Sequence, residues 1–135
     1  MSIARGRLLL RLNAAYLGGA GIFSLLAMDL RGIFWGAGPV ARVLALAPHA
    51  GIGFVEAHGL AAILGVVLWR AIPDRGWHLT AVAIEVLLGT ANLVFWQLYV
   101  DADVLMVGYV TTVLHWVFAV LQLRAAATST APALA

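Results

Sequence analysis

Four ionisable side chains, Glu56, His58, Glu85 and His115, fall inside stretches that are otherwise apolar. Such a group costs on the order of 2.5–3.5 kcal/mol at the centre of a membrane-crossing helix, so each needs a partner or a task. Carboxylates and imidazoles together can share a proton or hold a polar ligand, and two histidines on facing helices can ligate haem iron. Spacing sorts them. His78, Glu85, Asn92 and Tyr99 recur every seven residues. Seven steps nearly close two helical turns, with a drift of ~20°, so the four share one face. Gly108, His115 and Gln122 repeat the spacing, and Thr111 lies one turn from His115. Counting depth at ~1.5 Å per residue predicts two polar layers, Glu85 with His115 near the middle and Glu56 with Asn92 in the outer third. Trp116 stands beside His115 at mid-depth. Asn13, Tyr16 and Ser24 add a broad polar face earlier in the chain.

The segment "GFVEAHG" holds Glu56 and His58 two positions apart. On a helix they lie about 200° apart, so they cannot address one neighbour, and no metal site made by the pair is expected. Glu56 is expected to face the bundle, whereas the direction of His58 is open. His49 and His78, at the boundaries, are expected to be solvated.

The chain that must position these groups has 135 residues, 64% hydrophobic and 10% charged. Soluble domains are nearer half apolar and a quarter charged. The balance points to one integral membrane domain of four helices, spanning about 8–28, 50–69, 77–99 and 104–123. The expected fold is an all-α, up-and-down transmembrane bundle with a short interfacial helix between Pro39 and Pro48, in the outer loop joining helices 1 and 2. The tail, about 125–135, has no periodicity and reads as disordered. All eight basic residues are arginine. Arg5, Arg7, Arg11, Arg70, Arg75 and Arg124 fall on one side, and only Arg31 and Arg42 on the other. The positive-inside rule then places both termini of this multi-pass chain in the cytoplasm. These few charges read as topology signals, so no nucleic-acid partner is expected.

The layout resembles the DoxX-like family of small four-helix bacterial membrane proteins. The similarity lies in an arginine-led first helix (Arg11, with Gly18 and Gly19), a broken segment from Gly32 to Pro48, and a second helix carrying Gly53, Glu56, Gly59 and Gly65. The resemblance implies a buried acid at Glu56 and a role as an accessory membrane subunit beside quinone-linked or redox enzymes.

The residues themselves favour binding or assembly over catalysis. There is no cysteine, no G-x-G-x-x-G loop, no H-E-x-x-H pair and no serine with a histidine on its helix. No catalytic or metal-ligating residue is assigned. The expected role is an accessory subunit, or the binding of a small lipophilic molecule such as a quinone, through Glu56, Glu85, Asn92 and His115, with His58, His78, Tyr99 and Trp116 as further candidates. Two alternatives use the same groups: a proton relay or small transporter, and b-type haem held by His58 and His115. The bilayer is the expected partner, with a membrane or redox subunit beside it.

Overall fold

The computed structural model describes residues 2–129, whose regular secondary structure is all helical. α1 (Ile3–Phe23) passes without a break through a π-helical stretch (Ser24–Leu30) into α2 (Arg31–Trp35). α3 (Pro39–Leu46), α4 (Ala50–Arg70), α5 (Arg75–Val94), α6 (Gln97–Asp101) and α7 (Leu105–Thr128) follow. Four of these helices are long and apolar enough to cross a membrane: Ile3–Trp35, Ala50–Arg70, Arg75–Val94 and Leu105–Thr128. Leu8, Leu12, Phe23, Leu60, Ile63, Leu87 and Val113 are all more than half exposed or close to it. A bundle with so apolar an exterior fits a lipid solvent.

Local chemistry sets the ends. The Ser2 hydroxyl accepts from the Arg5 amide at 3.4 Å and caps α1. Asp74 Oδ1 accepts from the Trp77 amide at 2.8 Å and caps α5, just after Pro73 has stopped α4 from continuing. The helix before α3 ends at Gly36 and Gly38, whose φ angles of 58° and 85° suit glycine, and Pro39 then opens α3.

Close packing is concentrated in two pairs, α1 with α4 and α5 with α7. Gly18 meets Gly65, and Gly21 meets Ala61 and Ala62. Small residues let the two backbones approach, which is how helices gain contact where solvent is as apolar as the side chains. Leu10, Ala14, Leu17, Ala61, Leu68 and Ala81 form the apolar core beneath this seam. Outside it, Arg42 Nη1 lies 3.1 Å from Asp103 Oδ2, with both side chains more than half exposed. Such a pair contributes little. Arg42→Ala is expected to lower stability by less than about 1 kcal/mol, which thermal unfolding in detergent will show as a small shift.

Several boundaries differ from the expected ones. The first helix runs well beyond residue 28, because the π-helical stretch carries the chain on to Trp35. The third ends at Val94 instead of residue 99. Trp96 packs against Tyr109 (4.8 Å between centroids) and Tyr99 (5.5 Å), and this aromatic group turns the chain into α6. α7 continues through residues 125–128, expected to be disordered, because Ala125 and Ala126 are buried and alanine favours helix. The remainder of that expected tail, 130–135, lies outside the described residues.

Candidate functional site

The face that repeats every seven residues on α5 meets α7 and α1 in one continuous hydrogen-bonded network. Glu85 is at its centre and is completely buried. Its Oε1 accepts from Asn13 Nδ2, and its Oε2 lies 2.6 Å from His115 Nδ1. Asn13 Oδ1 accepts from Gln122 Nε2 at 3.0 Å, and Gln122 Oε1 lies 2.6 Å from His78 Nδ1. On the other side, His115 Nε2 lies 3.4 Å from the Tyr16 hydroxyl, which donates to the Thr111 carbonyl at 3.2 Å. Asn92 Nδ2 donates to Thr111 Oγ1 at 3.2 Å.

Donor and acceptor rules fix much of the proton placement. A carboxamide oxygen only accepts, so His78 Nδ1 is the donor to Gln122. Each amide then passes its N–H towards Glu85, and the chain from His78 to Glu85 has one direction. The Tyr16 hydroxyl spends its proton on the Thr111 carbonyl, so its oxygen accepts from His115 Nε2–H. The remaining proton lies between Glu85 Oε2 and His115 Nδ1. The pair is thus carboxylate with imidazolium, or acid with imidazole. Either way it carries no net charge, which limits the cost of its burial.

This network borders a cavity of about 270 Å³. His115, Asn92, Thr111, Tyr16 and Tyr99 line one part of it, and His58 lines another. Between them the walls are apolar, including Leu17, Val40, Val43, Leu88 and Val107. Tyr99, on α6 outside the crossing helices, has its phenol pushed up by burial, with the Thr111 hydroxyl opposing. It therefore stays a neutral donor.

The sequence-predicted residues separate clearly. Glu85 meets His115, the expected mid-depth pair, whereas Asn92 bonds to Thr111. Glu56 does not join Asn92: it is exposed, and no hydrogen bond holds it. The π-helical stretch and α1 occupy the inner face of α4 through Gly65, Ala61 and His58, which leaves Glu56 on the far side. His78 is fully buried instead of solvated, because α7 extends far enough to set Gln122 against it. His49 is exposed. Tyr99 reaches the cavity from α6, not from the seven-residue face of α5. Trp116 packs on Gly89 across the α5–α7 seam, about 38% exposed and outside the cavity lining.

Asp29 is the residue that sequence reasoning missed. It lies at the foot of the π-helical stretch, fully buried, with Oδ2 2.6 Å from His58 Nδ1. A π-helix widens the turn and re-phases the residues it contains, so an acid just beyond an expected helix end is brought inside. The available signal was a lone acid in the run "SLLAMDL".

Iron ligation by His58 and His115 does not fit. His115 commits Nδ1 to Glu85 and turns Nε2 to Tyr16, which leaves no ring nitrogen free for a metal. Among the described residues no group of three or more His, Cys, Asp or Glu is placed to hold a metal ion. Comparison of the chain with protein-family models, with curated proteins and with solved structures finds no match.

Proposed function

We propose that this chain is a multi-pass protein of a bacterial inner membrane that binds a small lipophilic molecule with an oxygen-bearing head group, such as a quinone, in service of a membrane partner. The observation that carries this reading is an apolar cavity of about 270 Å³ that adjoins a cluster of hydrogen-bonding groups at one end. Small-molecule sites have this character: apolar walls and a few placed polar groups that fix orientation. A ligand carbonyl would take its hydrogen bond from Asn92 or Tyr99. The shared proton of Glu85 and His115 lets that end follow changes in the ligand's own protonation without stranding a charge.

The same reading includes the topology. The contacts Gly18–Gly65, Glu85–His115 and Asn13–Gln122 support an up-and-down bundle. The arginine distribution supports cytoplasmic termini, and α3 is then an interfacial helix at the outer mouth. The DoxX-like resemblance contributes little here, since its one carried-over acid, Glu56, is away from the cavity.

Binding is favoured over a proton relay by the network itself. Gln122 and Asn13 stand between His78 and Glu85, and carboxamides do not pass protons as imidazoles, carboxylates and water do. Decylubiquinone added to the purified protein is expected to raise its unfolding temperature, since saturation to 100 Kd contributes about 2.7 kcal/mol. Asn92→Leu should abolish most of that gain. No rise with the wild-type protein at saturating quinone would contradict the reading for this class of ligand.

A further inference from the structure

The cavity has a second polar end. His58 lines the cavity from α4, and its Nδ1 is held 2.6 Å from Asp29 Oδ2. This repeats the arrangement of His115 on Glu85, at the same distance. Asp29 is fully buried, and its Oδ1 has no partner. His58 Nε2 makes no hydrogen bond, yet it is not among the fully enclosed polar atoms, so a small molecule can reach it. Ser24 lines the cavity as well.

We propose that the cavity takes a lipophile carrying a polar group at each end, and that the end at His58 is a hydroxyl. This deepens the binding reading and rests on it. Nδ1 faces the Asp29 carboxyl, so Nε2 is the ring atom left for a ligand, and a hydroxyl, which both donates and accepts, can satisfy it. His58 enters the cavity from α4 and His115 from α7, with Leu17, Val40, Val43 and Leu88 also in the lining, so a lipophile with a polar group at each end suits the two poles.

The test uses two probes that differ by one hydroxyl, para-hexylphenol and its omega-hydroxy derivative, titrated calorimetrically into the purified full-length protein. Wild type should bind the omega-hydroxy probe about tenfold more tightly, the effect of one buried hydrogen bond to a preset partner. Replacing His58 alone would strand the Asp29 carboxylate, so the decisive variant is Asp29→Leu with His58→Leu, which removes both partners together. There the preference should vanish while the affinity for para-hexylphenol stays within about twofold. Equal or weaker binding of the omega-hydroxy probe by wild type overturns the inference, as does a preference that survives in the double variant. Binding of neither probe by wild type overturns this inference and the lipophile reading together, whereas loss of the preference alone leaves that reading standing.

Discussion

Glu85→Ala is expected to destabilise the protein by about 3–5 kcal/mol, far more than any other change in the polar network. An ordinary interhelical hydrogen bond within a bilayer contributes only ~0.6 kcal/mol, because the separated helices also find partners. Glu85 differs because it is the carboxyl group of the network and takes a partner from each of two other helices, Asn13 from α1 and His115 from α7. Removing it leaves Asn13 Nδ2 and His115 Nδ1 without their partner in a site where Glu85 and Asn13 are completely enclosed. Glu85→Gln separates charge from connectivity. A glutamine can accept from Asn13 through its oxygen and donate through its amide to His115 Nδ1. That second bond suits the tautomer already set by Tyr16, with the proton on Nε2. Glu85→Gln should therefore keep most of the stability that Glu85→Ala loses. Unfolding of the three proteins in one detergent, followed by circular dichroism, checks this order. Equal stability of wild type and Glu85→Ala would show that the network does not hold the helices.

The second large effect concerns the seam between α1 and α4. A Cβ added at Gly65 would stand 2.5 Å from Gly18 Cα and 2.6 Å from Gly18 N. At Gly21 it would stand 2.7 Å from the Ala62 nitrogen and from the His58 carbonyl oxygen. These neighbours are backbone and cannot turn aside, so the helices must separate. Gly65→Ala and Gly21→Ala are each expected to cost about 1–3 kcal/mol or more, the range for overpacking a close-fitting site. Gly53 and Gly59 lie on the same helix as Gly65 but open to free space. There alanine should be neutral or stabilising by up to about 1 kcal/mol, through helix propensity alone. Matched losses at Gly65 and Gly59 in thermal unfolding would contradict the close approach.

These two sites also show what could be read from the sequence. Four apolar runs of membrane-crossing length were plain from composition, and four matching helices are present. The meeting of Glu85 with His115 followed from period and depth, since both helices are straight enough for a seven-residue spacing to hold a face. Failures came where a helix departs from regular geometry or where a neighbour's length decides the outcome. Asp29 lay just past the expected end of its helix, and only the π-helical stretch brings it to His58. Tyr99 fitted the seven-residue series on paper, but the aromatic turn after Val94 places it on another element. Glu56 is the instructive error. The cost of burying an acid says that it needs a reason, but an acid on the outer face near a helix end can meet the polar boundary instead.

The central claim is that the bundle holds a lipophilic molecule between its polar ends. Native mass spectrometry of the protein released from lipid nanodiscs tests it most directly. The expected spectrum shows one small lipophile bound per chain, either retained from the membrane or taken up from added decylubiquinone. Ala91→Leu, which puts bulk into the cavity wall, should remove that peak without unfolding the bundle. A wild-type protein that appears only at its bare mass, before and after incubation with the quinone and with the hydroxylated alkylphenol, would contradict the account.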